Sequence, residues 1–342
     1  MGSWKREQKM WDIRVAYVKS AYTGVYSVIN EGIIRALKEL VNEVYDVSPS
    51  ENVARKVADK EPDVVLVLLG DQVPAGQIAE LSEQGIKTAV WLTDDPYYTD
   101  TTVTYVREYD YIFTMELSCI SLYQLMGCDE VHYLPLGVNT QVFYPQKVHS
   151  SYQRDICFIG TGWRNRVDFI EEISDYLASR DFIIIGPLWN ALPSYAMLSH
   201  NIHLLGTPFS ETNRYFNGSK IVINLHRSYD DMTYFIGNSR RIYAHSVNPR
   251  TFEICACGAF QLTDLRPDLQ TFYTPEEELA TFRNPKELVD KLDHYLNRED
   301  ERKQIASKGF HRTMEEHTYQ KRLIQLLHVI MGSPDRKEGQ MR

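Results

Sequence analysis

The stretch Arg154-Asp155-Ile156-Cys157-Phe158-Ile159-Gly160-Thr161-Gly162-Trp163-Arg164-Asn165-Arg166 is an apolar run, a glycine loop and a basic turn leading into helical periodicity from Val167. Residues 155–159 read as a buried strand and the glycines as the turn after it, which is the repeating unit of a parallel α/β sheet. Glycines let backbone N–H groups approach a phosphate, and a helix start carries partial positive charge. Arg164 and Arg166 could add forked donors to a diphosphate. A tight turn with two solvated arginines would read the same way, and the third glycine of a dinucleotide-binding GxGxxG is absent.

Working outward, apolar runs at 182–185, 202–204, 220–225 and 259–262 follow, and runs at 14–18, 63–69, 88–92, 111–114 and 131–134 precede. Their near-continuous apolar content marks strands covered on both faces. Helical spacing lies between them. Ile29, Ile33, Leu37, Leu40, Val41 and Val44 predict one helix, and Ser48-Pro49-Ser50-Glu51 a capping box opening the next. Asn284-Pro285-Lys286-Glu287 opens another, with Leu288, Val289, Leu292 and Leu296 inward. A last helix from about 318 carries Leu323, Ile324, Leu327 and Ile330 and ends near Gly332. The pattern predicts two doubly wound, Rossmann-like α/β domains facing a central cleft, over residues 1–148 and 149–317, with a helix and polar tail over 318–342. A length of 342 residues suits two cores better than one.

Composition narrows the partners. The hydrophobic share of 43% and charged share of 24% are those of an ordinary globular chain. A net charge of -9 argues against general nucleic-acid binding. No run is long and apolar enough for a membrane span, and five cysteines make an odd count for a disulfide framework, so the expectation is a cytoplasmic protein. Cys255 and Cys257 have no second ligand pair with zinc spacing, and no Asp-x-Asp occurs, so no essential metal or cofactor is expected.

Loops after strands are where chemistry should lie. Asn248-Pro249-Arg250-Thr251-Phe252-Glu253-Ile254-Cys255-Ala256-Cys257-Gly258-Ala259-Phe260-Gln261 sets Arg250 and Glu253 three apart on one helical face before a strand. Glu253 could accept from vicinal ribose hydroxyls, with Gly258 close by, or the two could be an internal ion pair. Asn224 and His226 end a central strand, and Gly186-Pro187-Leu188-Trp189 follows another and could pack on a base. Arg240 and Arg241 would add to a basic pocket. In the first half, Trp91-Leu92-Thr93-Asp94-Asp95-Pro96-Tyr97-Tyr98 mixes carboxylates with aromatic faces suited to sugar rings, and Asp95 could orient or deprotonate an acceptor hydroxyl. Residues 20–26, with Gly24, are a second candidate there.

The segment Arg250–Asp264, together with Phe158-Ile159-Gly160-Thr161-Gly162, Leu134-Pro135-Leu136-Gly137-Val138-Asn139 and His317-Thr318-Tyr319, resembles the CgeB-like spore-protein glycosyltransferases of GT-B architecture. The resemblance implies that Glu253 binds the donor ribose, that Gly160, Thr161, Gly162 and nearby basic groups hold the diphosphate, and that the last helix crosses back to the N-terminal domain. It implies glycosyl transfer from a nucleoside-diphosphate sugar, UDP-linked by default, with Arg164, Arg166 and Arg250 meeting the leaving-group charge, and adds a spore association. Retention is expected by analogy. Retaining members of the larger group often carry a second glutamate eight positions upstream of the first; here that position is His245. Two other readings stay open: a sugar-nucleotide 2-epimerase, and a non-catalytic spore-surface or carbohydrate-binding homologue. Sugar, acceptor (saccharide, polysaccharide or protein) and oligomeric state are not specified by these residues.

Overall fold

The computed structural model describes residues 9–74, 76–231 and 237–334. Twelve strands form two six-stranded parallel sheets among the described residues. The first contains β1 (Trp11–Val18), β2 (Val41–Val47), β3 (Val64–Leu68), β4 (Lys87–Leu92), β5 (Tyr111–Thr114) and β6 (Glu130–Tyr133), in the order β2-β1-β3-β4-β5-β6. The second contains β7 (Arg154–Ile159), β8 (Phe182–Ile185), β9 (Ile202–His203), β10 (Ser219–Asn224), β11 (Gln261–Asp264) and β12 (Ala280–Phe282), in the order β12-β11-β10-β7-β8-β9. The order reverses between β1 and β3 in one sheet and between β7 and β10 in the other. Ligands of open α/β sheets bind beyond the strand carboxyl ends at such points.

The chain divides into two compact units: residues to Leu136 with those from Tyr319, and Gly137–Thr318. The expected division at 148/149 thus lies earlier, between 136 and 137. The reason is that residues 142–146 bind the helix Phe209–Gly218. The Asn213 amide donates to the Val142 carbonyl at 2.8 Å, Gln146 N–H donates to Asn217 Oδ1 at 2.7 Å, and Phe143 stacks on Phe216.

Two local expectations need correction. Val41 and Val44 do not continue the helix Val25–Leu40; they belong to β2, which starts without an intervening loop and pairs Val15 with Val44. Ser48 is not an N-cap. Its N–H is accepted by Glu51, but the helix Val53–Ala58 is capped by Asn52, whose side chain accepts from Arg55 N–H. At Pro285–Leu296 the cap is as expected, with Asn284 accepting from Glu287 N–H.

In the first unit the helices Val25–Leu40 and Tyr319–Met331 pack on the sheet through Ile33, Leu37, Leu323 and Leu327, all fully buried with Val15, Leu66 and Trp91. Burying four such side chains contributes roughly 1.5–3 kcal/mol each before conformational entropy is charged. The C-terminal carbonyls of the last helix, the orphans of any helix end, receive Lys87 Nζ at Ile330 O (2.7 Å); Trp11 Nε1 donates to Gly332 O (3.3 Å). The helix expected to cross back is therefore part of the first core. In the second unit Ile156, Phe158, Ile184, Ile223, Leu262 and Phe282 of the sheet meet Val167, Ile170, Leu288 and Leu292 of its helices. Among the described residues no helix is long and apolar enough to cross a membrane.

Candidate functional site

At the β7/β10 reversal lies a cavity of about 850 Å³. Gly162, Arg164 and Asn165 after β7, Leu188 and Asn190 after β8, and Ser228 and Asp231 after β10 line it. The loops interlock through glycine. A Cβ on Gly186, whose φ is 150°, would meet the Gly160 carbonyl at 2.1 Å, and one on Gly162 would meet the backbone of Leu188 and Trp189 at 3.0–3.1 Å. The N–H groups of Gly160 and Gly162 donate to Ile185 O (2.9 Å) and Pro187 O (2.8 Å), so the glycines serve first to bring two loops into contact. Trp189 is fully buried, donates Nε1–H to Gly160 O and packs on Phe158; its ring does not offer a face to a base. Leu188, Asn190 and Ala191 are the residues of that stretch that reach the cavity.

The helix Arg164–Glu171 begins at the cavity, and its first N–H is met by the Asp231 carboxylate at 2.9 Å. A helix start attracts an anion, and here the protein's own carboxylate fills part of that role. Arginines gather around it. Arg164 is exposed and lies 3.7 Å from Asp168. Arg166 donates to Thr161 O (3.0 Å) over the Phe158 ring. Arg227, absent from the sequence expectations, stacks 3.9 Å from the Trp163 centroid and donates to Asp231 O. Arg266, also unforeseen, donates to the carbonyls of Arg227 and Ala244. Arg241 reaches only an exposed ion pair with Asp230 at 3.7 Å.

His226 ends β10, 3% exposed. Its Nδ1 lies 2.6 Å from Asp264 Oδ1, which also accepts the His226 backbone N–H, while its buried Nε2 has no hydrogen-bond partner. Burial raises and the His226 and Arg266 neighbours more strongly lower the Asp264 carboxyl, to about 2; burial lowers His226. The pair is therefore a carboxylate holding a neutral imidazole by Nδ1–H, with an Nε2 lone pair to offer a hydroxyl. Asp264 was not singled out from sequence; its signal was its position at the end of the strand beside β10.

Other expected residues are placed elsewhere. Asn224 donates Nδ2 to Asn248, Thr251 and Gln261 at 3.0–3.1 Å and accepts from Asn248, so its amide is consumed in tying β10 to the helix Pro249–Ala256. Arg250 and Glu253 share a face, as expected, and form an ion pair at 2.8 Å, with the guanidinium over Phe216. Burial raises the Glu253 carboxyl, and Arg250 offsets part of that. Neither lines the 850 Å³ cavity. Gly258, φ 65°, is the left-handed residue that ends this helix. His245 stacks with Tyr243, its ring plane within 15°.

In the first unit Asp95 is 3% exposed and accepts from Thr114 Oγ1 (2.7 Å) and Tyr123 OH (2.8 Å); burial pushes it up to about 6. Its neighbour Asp94 accepts from Tyr26 OH. Trp91 is fully buried and donates to Leu134 O. Among the described residues no three His, Cys, Asp or Glu side chains converge as a metal-binding group.

Two parallel α/β units, each with a cavity at its strand-order reversal, are the architecture of a GT-B glycosyltransferase. Residues 154–328 match the glycosyl transferase-like family model, and the chain belongs to that family. Spore protein CgeB of Bacillus subtilis (strain 168) is 31% identical over 312 residues, 90% of this chain and 95% of that protein. Among solved structures, a glycosyltransferase from Rickettsia africae superposes with a TM-score of 0.63 at 12% identity, covering 93% of this chain and 98% of the other. Anabaena HepE, solved with UDP and glucose, gives 0.63 at 9% identity, covering 93% and 99%. At these identities the structural likeness concerns the fold.

Proposed function

We propose that the protein transfers a glycosyl group from a nucleoside-diphosphate sugar, UDP-linked, to an acceptor hydroxyl, without a metal ion and with retention at the anomeric carbon. The observation that carries this is the cavity at the β7/β10 reversal, with Gly162, Arg164 and the start of the helix Arg164–Glu171 at its wall and Arg166 and Arg227 bonded to the loops that flank it. In the reaction the bond from the anomeric carbon to the diphosphate oxygen breaks, the bond to the acceptor oxygen forms, and the acceptor proton leaves with the diphosphate. Arg164, Arg166 and Arg227 answer the negative charge that grows on the leaving group, the task a metal performs elsewhere. The neutral Nε2 of His226 accepts from a donor hydroxyl, and Glu253 is the ribose contact by family analogy. Retention is supported by Asp95, whose carboxylate is engaged by Thr114 and Tyr123 and is poorly placed as a strong base. UDP is the first choice because HepE was solved with it. None of the five cysteines is in a disulfide, which supports a reducing, cytoplasmic setting; a spore association rests on the relative's name.

The test is a melting-curve panel of UDP, GDP, ADP, CMP and dTDP, with and without Mg²⁺, on wild type and Arg164→Ala, an exposed position that should not disturb folding. Ligand at ~100 times its Kd stabilises by ~2.7 kcal/mol. The expected result is one nucleotide that shifts the melt equally without Mg²⁺, and less in the variant. No shift with any nucleotide overturns the proposal. Consumption of the nucleotide sugar without any acceptor, giving an isomerised donor, would replace transfer by epimerisation.

A further inference from the structure

The first unit has its own cavity, of about 340 Å³, at the β1/β3 reversal. Three carboxyl ends build it: Tyr22 and Tyr26 follow β1, Asp71 follows β3, and Asp94 and Tyr98 follow β4. Its volume is at the low end of small-molecule pockets, roughly 300–1,000 Å³, which suits one sugar ring better than a stretch of polymer. Tyr22 and Tyr98, 48% and 40% exposed, are large aromatic faces left in water at its rim. Such faces stack on the C–H side of a sugar ring.

Its charge is one-sided. Asp71, Asp94 and Asp95 line it, and no Lys, Arg or His does. Tyr22 OH donates to Asp71 at 2.8 Å, Tyr26 OH donates to Asp94, and Tyr105 OH donates to the Leu69 carbonyl at 2.7 Å. The tyrosines orient the two outer carboxylates without neutralising them. The hydrogen bond to Asp71 pushes the Tyr22 hydroxyl up to about 12. Carboxylates are acceptors only, and no cation lines the cavity to offset them. It repels a phosphorylated or uronic sugar.

We propose that this cavity holds the acceptor as a sugar ring bearing a free amine, its ammonium between Asp71 and Asp94 and its face against Tyr22 and Tyr98. The amine is a recognition handle, and a hydroxyl of the same ring is the nucleophile. Calling the ligand an acceptor rests on the transferase reading above, whereas its binding can be measured with no donor present.

The experiment titrates the full chain with glucosamine, glucose and glucuronate separately, followed by ligand NMR. Wild type is compared with Asp71→Asn, Asp94→Asn and Tyr98→Ala, each checked for folding by circular dichroism. Glucosamine should bind about tenfold tighter than glucose, the size of one charge-assisted hydrogen bond, and glucuronate should not bind. The preference should vanish in Asp94→Asn or Asp71→Asn and at a pH where the sugar amine is neutral. Tyr98→Ala should weaken both sugars together. Equal binding of glucose and glucosamine to wild type, or a preference that survives both aspartate variants, overturns the inference. Binding of no sugar while a nucleotide still raises the melting temperature overturns it and leaves the donor reading standing. Amino-sugar preference without any nucleotide shift does the reverse.

Discussion

Asp95 and Asp94 are adjacent in sequence and opposite in chemistry. The first, at the back of the cavity, is held by Thr114 and Tyr123 and its carboxyl is pushed up to about 6; the second accepts from Tyr26 at the wall of the same cavity. A raised folded-state pKa means that the folded chain holds the proton more tightly than the unfolded chain. Stability from Asp95 is therefore fully present below the unfolded value of about 3.9 and is lost as pH rises to about 6, by a few kcal/mol at most. In denaturant unfolding, wild type should lose stability relative to Asp95→Asn between pH 4 and pH 6 and hold a constant difference above. A difference flat across that range would refute the shift. Side-chain partners explain why the sequence singled out Asp95 for catalysis: nothing local to residues 91–98 says that Thr114 and Tyr123, on another strand and helix, close over it. The partners of Asn224 were hidden for the same reason, its three acceptors coming from Asn248, Thr251 and Gln261. The Arg250–Glu253 pair was legible because both lie within one helical turn.

Elements were easier to read where burial is two-sided. Parallel strands have water on neither face, so β3, β4, β7 and β8 are plain apolar runs. β2 escaped because Leu37, Leu40, Val41 and Val44 keep helical spacing across the point where the helix Val25–Leu40 gives way to the strand, with no turn residue between. The glycine loop after β7 was recognised correctly as a loop, yet its Gly162, like Gly186 in the loop after β8, is required by the packing of the two loops against each other. Gly186→Ala tests this, since its Cβ would lie 2.1 Å from the Gly160 carbonyl. The variant should be destabilised by about 2–4 kcal/mol, read as a shift in the chemical-denaturation midpoint, and should lose nucleotide binding with it. Gly24→Ala is the control: φ is positive there too, at 72°, but no atom lies within 4 Å, so only the backbone strain of roughly 1 kcal/mol remains.

At the scale of the whole molecule, Gly137–Thr318 interrupts a unit whose two pieces are its beginning and its end. Removing residues 319–342 should therefore damage the N-terminal core rather than the C-terminal one. It strips Tyr319, Leu323, Leu326, Leu327 and Ile330 from Val15, Leu66 and Trp91. The expected outcome is loss of protection from hydrogen exchange across β1, β3 and β4, with β7, β10 and β11 still protected. Uniform loss in both sheets would show that the units do not fold separately. The same arrangement bears on how the chain is made. As it leaves the ribosome, the first sheet must wait, part of one greasy face bare beside the helix Val25–Leu40, until every residue of the second unit has been translated. A nascent chain of this kind is a natural client for chaperones, and a frameshift just ahead of Tyr319 reaches back to unmake the first sheet.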